Sequence, residues 1–177
     1  HVSCQDMRTF ALGRQFALII IPYRSFQALL TPQEARDCLQ RVKRHLAPGG
    51  LFVFDILRNS EVMWSIPPDV ELPDWEDVLG DTKVIRTNRL PQFDRQRNIF
   101  AIEHIYRLRR DNAPDQVFKE RLDLKMYSED EIGGMLLASG LQVRKTLLDY
   151  DGKNLGGSAD LIFIAEHVNA DDADERR

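Results

Sequence analysis

The residues best placed to do chemistry are Pro22-Tyr23-Arg24-Ser25-Phe26, which follow directly on the apolar run Phe16-Ala17-Leu18-Ile19-Ile20-Ile21. A phenol, a guanidinium and a hydroxyl in succession offer an aromatic surface, a fixed positive charge and several hydrogen-bond donors. Position matters as much as type here, because open α/β sheets bind ligands in the crevice beyond the C-terminal ends of their strands. Tyr23, Arg24 and Ser25 are therefore candidate site residues. The plainer alternative is that Phe26 and Leu30 pack and Arg24 is a solvated turn residue. Asp55, near the end of the apolar run Leu51-Phe52-Val53-Phe54-Asp55-Ile56, either faces such a crevice or caps backbone amides. His104 stands on an apolar strand face, where a hydrogen-bonded partner is expected and not a base. Tyr127 and Tyr150 read as aromatic core that could also reach a pocket mouth. Cys4 and Cys38 form no CxxC pair and have no histidine at metal spacing, so neither a zinc site nor a disulfide framework is indicated.

The elements that must position these groups are legible from periodicity. A continuous β-branched run such as 16–21 is expected as a parallel strand covered on both faces. Thr31-Pro32-Gln33-Glu34 places an N-cap, a first-turn proline and the glutamate of a capping box in order. Ala35, Cys38, Leu39, Val42 and Leu46 then recur at helical spacing, Lys43, Arg44 and His45 suit the negative end of the dipole, and Pro48-Gly49-Gly50 stops the helix. Strand, helix and strand make a right-handed βαβ unit. From about Lys83 to Met126 the period changes to two, the pattern of antiparallel strands. Pro67, Pro68 and Pro73, with Trp64 and Trp75, are expected to form a loop that could cover a cleft. Ser128-Glu129-Asp130-Glu131 is a second capping box, and Gly140 supplies the stop of that helix. Leu141 to Tyr150 and Leu161 to His167 follow as a terminal antiparallel pair across a glycine-rich connection, 151–158.

Bulk properties narrow the classes. The chain has 177 residues, 43% hydrophobic and 29% charged, which suits one core. Its 24 basic against 28 acidic residues give a net charge of −4 with no basic stripe, so nucleic acid is not suggested. The run from Phe16 to Pro22 falls well short of the roughly 20 residues a membrane span requires, and with reduced cysteines a soluble cytoplasmic protein is expected. The tail 169–177 is charged and poor in apolar groups, which predicts disorder.

Taken in order, Gln5-Asp6-Met7-Arg8, Phe16 to Phe26, Leu46-Ala47-Pro48-Gly49-Gly50 and Ala138-Ser139-Gly140-Leu141-Gln142-Val143 resemble successive landmarks of class I S-adenosylmethionine-dependent methyltransferases. The flavour is that of the small-molecule N-methyltransferase-like branch, which includes glycine, sarcosine and aminosugar enzymes. The resemblance covers nearly the whole chain except the tail. It implies an α/β Rossmann-like doubly wound methyltransferase sheet, incomplete at the N-terminus, with an antiparallel β insertion at about 78–126 in a domain spanning 1–168. It also implies S-adenosylmethionine as cofactor and a small-molecule acceptor. By the same resemblance Asp6 and Met7 meet the adenine, Ile21 and Pro22 line the methionine portion, and Tyr23, Arg24 and Ser25 face the transferring methyl or the substrate. An Asp-Met pair in a loop is otherwise an ordinary Asx turn.

The family's glycine-rich turn has no counterpart, since none of the ten glycines forms GxGxxG. With a start at His1 instead of Met, the chain reads as N-terminally truncated, and its methyl transfer is expected to be impaired. The family's sheet order would leave 16–21 with an open edge, so a homodimer is expected. The competing reading is a non-catalytic association module derived from the same fold.

Overall fold

The structure is a computed structural model and describes residues 1–58, 67–90, 93–148, 150 and 160–168. The chain divides into two units, one comprising 1–59 and 126–177 and the other 60–125. The glycine-rich connection 151–158, the tail 169–177 and Trp64 lie outside the described residues.

In the first unit, β1 (Phe16–Ile21) leads through a 3-10 turn, Ser25–Ala28, to α1 (Pro32–His45) and then β2 (Leu46–Leu57). Helix α1 begins where its capping box requires. The Thr31 side chain accepts from the Glu34 amide, and the Glu34 carboxylate accepts from the Thr31 amide. Lys43, Arg44 and His45 occupy the last turn. β1 and β2 pair in parallel as the two ends of the βαβ unit. The register shifts between Phe16 and Leu18, opposite the Pro48-Gly49-Gly50 stretch, which belongs to β2. The stop of α1 therefore falls at His45, and the glycines serve the strand: Gly49 has φ +71°, a conformation that glycine adopts without steric cost.

Helix α2 runs from Glu129 to Ala138 with its own reciprocal capping box, Ser128 with Glu131. It leads into β8 (Leu141–Leu147) and, later, β9 (Asp160–His167), which pair antiparallel. The sheet order is β1-β2-β9-β8. One face of this sheet carries Phe52, Phe54, Ile56, Leu161 and Phe163 into a core shared with Ala35, Leu39 and Val42 of α1 and Ile132 and Leu136 of α2. The expectation that β1 is covered on both faces is corrected. Ile21 is buried and Ile19 packs on the core, whereas Leu18 and Ile20 are 51% and 54% exposed. Successive strand residues point to opposite faces, and both helices pack on one.

The second unit is an antiparallel sheet of β3 (Glu71–Leu79), β4 (Thr82–Arg89), β5 (Phe93–Asp94), β6 (Ile99–Arg110) and β7 (Gln116–Lys125). Its order is β3-β4-β6-β5, with β7 also on β6. Pro73 and Trp75, expected in a cleft-covering loop, instead belong to β3, whose ladder to β4 shifts register between them. A proline donates no N–H, and a sheet tolerates it in an edge strand beside such an irregularity. His104 is a satisfied partner, its Nδ1 lying 2.7 Å from Asn88 Oδ1.

Gln27 ties the 3-10 turn to the end of β2. Fully buried, its amide oxygen accepts from the Leu57 N–H at 2.6 Å, and its Nε2 donates to the Leu57 carbonyl at 3.4 Å. Gln27→Ala orphans both backbone groups. We expect a loss of about 2 kcal/mol, read as a lower urea midpoint with an unchanged m-value.

Candidate functional site

Residues 22–25 turn sharply at the C-terminal end of β1. Tyr23 and Arg24 both adopt left-handed backbone, φ 59° and 62°. Neither is a glycine, and each such residue carries roughly 1 kcal/mol or more of backbone strain. The surrounding contacts hold the conformation. Ser25 donates through its amide and, at 2.7 Å, through its hydroxyl to the Pro22 carbonyl. The Arg24 amide donates to Asp55 Oδ2 at 2.9 Å, and Arg24 Nε donates to Asp160 Oδ1 at 2.7 Å. Phe26, fully buried, anchors the turn from below against Phe54 at 4.8 Å and Tyr127 at 5.8 Å.

The three residues expected to face a reacting group thus have different situations. Tyr23 stands 76% exposed at the tip of the turn. Arg24 has its guanidinium on Asp160, and the Ser25 hydroxyl is folded back onto its own loop. Ile21 is buried in the core at the last position of β1.

Asp6 and Met7 lie beside the first turn of α1. The Asp6 carboxylate accepts from the Arg8 amide at 2.8 Å and from Arg8 Nη2 at 2.6 Å, and Arg8 Nη1 reaches Glu34 at 2.7 Å. These bonds from Arg8 hold the Asp6 carboxyl down at about 2. Asp6 therefore makes an Asx-type turn, and Met7 packs against the core. Further along α1, Arg41 donates to the Arg8 carbonyl and His45 Nε2 accepts from the Leu12 amide at 3.0 Å. The segment 6–12 therefore runs along the helix, with its Asp6 end at the first turn and Leu12 at the last. Cys38, inside α1, is chemically quiet, because burial pushes its thiol up to about 12.

Asp55 is the residue whose situation the sequence left open, and of its two alternatives the structure shows the cap. It caps the Arg24 amide through Oδ2, while Oδ1 is buried with no hydrogen-bond partner among the described residues. Tyr150 is 65% exposed, contrary to a place in the core. Burial, and after it a hydrogen bond to the Asp55 carboxylate, push its phenol well above the ordinary range, while Asp55 Oδ1 itself has no partner among the described residues. Tyr127, by contrast, is core: its hydroxyl donates to the Leu29 carbonyl at 2.5 Å. Asp160 and Gln27 carried no sequence signal. Arg24 and Asp160 stand 136 positions apart, and only the β2-β9 ladder, which sets Leu57 opposite Asp160, brings them together.

No protein-family profile and no curated protein sequence matches the chain. Solved structures do. A S-adenosylmethionine-dependent methyltransferase from Clostridium acetobutylicum superposes with a TM-score of 0.75 at 17% identity, over 94% of this chain and 64% of that one. CalS10, an amino pentose methyltransferase from Micromonospora echinaspora solved with its donor bound, gives 0.69 at 22% identity over 93% and 63%. KedS8, a sugar N-methyltransferase from Streptoalloteichus, gives 0.72 at 19% identity over 93% and 61%. The chain thus spans less than two thirds of the length of each of these structures. What it shares with them is the fold, the Rossmann-like α/β architecture of class I methyltransferases.

Proposed function

We propose that the chain acts in S-adenosylmethionine-dependent methyl transfer to a small-molecule acceptor. The observation that carries the reading is the strained, exposed Tyr23 turn at the C-terminal end of β1 in a fold shared with such enzymes. When bound, S-adenosylmethionine supplies a methyl group on a positively charged sulfur. The chain's own contribution is placement. An in-line displacement chiefly requires the two reactants to be close and aligned, so a catalytic dyad is not needed.

The residues fit such a ligand in part. Met7 offers a soft wall to a purine, and Asp6 can accept its exocyclic N–H, although Arg8 already fills most of that carboxylate's acceptor positions. Ile21 and Pro22 border the methionine portion, Tyr23 presents its phenol to the acceptor, and Arg24 and Ser25 keep the turn in shape.

The association reading has its own support. β1 ends the strand order, and Leu18 and Ile20 are half exposed beside it. An open edge next to apolar side chains recruits another chain, most simply as a homodimer. No helix among the described residues is long and apolar enough to cross a membrane.

Titration calorimetry with S-adenosylmethionine tests the donor assignment. Asp6→Ala should weaken binding by about tenfold, the loss of one good interaction of about 1.4 kcal/mol. Tyr23→Phe should leave binding unchanged and, with an acceptor present, lower turnover. Absence of any binding by the wild-type chain at millimolar donor would overturn the reading. Separately, sedimentation from micromolar to hundreds of micromolar protein should show a dimer that Leu18→Glu dissociates. A monomer throughout would refute the association.

A further inference from the structure

Asp55 is 2% exposed and lies on β2 between Phe54 and Ile56, whose side chains enter the core. Alternation along the strand sends its carboxylate to the opposite face, at the C-terminal end of the sheet. Capping the Arg24 amide uses one oxygen only. The other, Oδ1, is fully buried and has no hydrogen-bond partner among the described residues. A buried acceptor left unmade is among the more expensive features a protein keeps, and a carboxylate more so than a neutral group.

The local charges show what would complete it. Two carboxylates, Asp55 and Asp160, stand with one guanidinium, that of Arg24, and the guanidinium is committed through Nε to Asp160. Among the described residues Asp55 is met by the Arg24 amide and by a hydrogen bond from the Tyr150 phenol, both uncharged. Burial and the hydrogen bond to Asp55 raise the pKa of the Tyr150 phenol, the charges of Asp55 and Asp160 add to the rise, and Arg24 opposes it. No cluster of three or more metal-ligating side chains occurs among the described residues, and the donor that pairs most strongly with a carboxylate oxygen is an N–H of positive charge.

We propose that Asp55 Oδ1 is a binding site for a ligand ammonium: a small molecule bearing a primary or secondary ammonium docks where β1 and β2 end and donates an N–H to this oxygen. The site does not depend on the methyl-transfer reading, because the chemistry that recognises the ligand is a carboxylate, an adjacent carboxylate and an exposed tyrosine. An α-ammonium on a methyl donor and an amine on an acceptor share this chemistry, and a binding experiment separates them.

The probe is n-propylammonium chloride, titrated into the whole 177-residue chain at constant ionic strength by replacing sodium chloride. Amide resonances of Arg24 and Tyr150 are followed by NMR. A saturable shift is expected with n-propylammonium and none with 1-propanol. Asp55→Asn keeps an oxygen for the Arg24 amide but lacks the charge, and it should weaken the response about tenfold or more. A wild-type response no larger than that to sodium chloride or 1-propanol overturns the proposal, whether or not the variant folds. An Asp55→Asn titration identical to wild type overturns it equally. Competition then identifies the source. Displacement of n-propylammonium by S-adenosylhomocysteine, but not by 5′-methylthioadenosine, which lacks the amino-acid moiety, assigns the site to the donor's ammonium. Simultaneous binding assigns it to an acceptor amine. If S-adenosylhomocysteine does not bind at all, the methyl-transfer reading fails while the alkylammonium titration still decides the site.

Discussion

The aromatic stack on the covered face of the first unit's sheet is the contact on which the site depends. Phe54 lies 4.8 Å from Phe52 and 5.2 Å from Phe163, nearly parallel to both, and Phe26 leans onto it at 4.8 Å and 41°. All four are essentially excluded from solvent. Burying large aromatic surface is the strongest single contribution available to a small core. It also fixes register. The strand period is two, so a one-residue slip of β2 would carry Phe52, Phe54 and Ile56 out of the core. The same constraint that seats Phe54 inward sends Asp55 outward, and Phe26 delivers the turn that Asp55 caps. The polar site is thus a by-product of apolar register.

The two units hold together by different means. The first has a continuous core between a sheet and two helices. The second relies more on cross-strand pairs: Glu71 with Arg107, Glu103 with Arg89, and Asp74 with Arg86, whose guanidinium also stands over the Trp75 ring at 5.3 Å. Ion pairs this accessible each contribute at most about 1 kcal/mol, and lateral pairing across a ladder is what makes them count. Every residue of β3 is exposed, so this edge strand holds by its backbone ladder and by contacts such as Trp75 with Arg86.

Local chemistry was what the sequence made legible. The capping boxes at Thr31 and Ser128 occur as read, because each is written within four consecutive residues. β1 likewise spans the residues its apolar run marks out, and the fold class follows from the order of these elements. Long-range consequences were hidden. Nothing in Phe16-Ala17-Leu18-Ile19-Ile20-Ile21 distinguishes a strand covered on both faces from one covered on one, since hydrophobicity states a capacity for burial and not its supply. β3 was missed because its sequence, ELPDWEDVL, is acidic and contains proline, both poor strand signals, and it forms as the partner of β4. At the site, Tyr23, Arg24 and Ser25 were found by their position after a strand, but their separate situations depend on Asp55 and Asp160. No spacing rule joins those residues to them.

The turn at Tyr23 and Arg24 unites these strands of argument. A left-handed pair without glycine persists only if its surroundings over-determine it. Here the surroundings include a buried carboxylate on the Arg24 amide, an ion pair on its side chain, a folded-back serine and a buried phenylalanine. Had the chain needed only to change direction, glycines at 23 and 24 would have done so without strain and without recruiting Asp55 or Asp160. Using tyrosine and arginine keeps a phenol at the exposed tip and a guanidinium against the end of β9. The arrangement spends stability on holding an exposed side chain in one place, and that is intelligible when the side chain orients something that is not part of the protein.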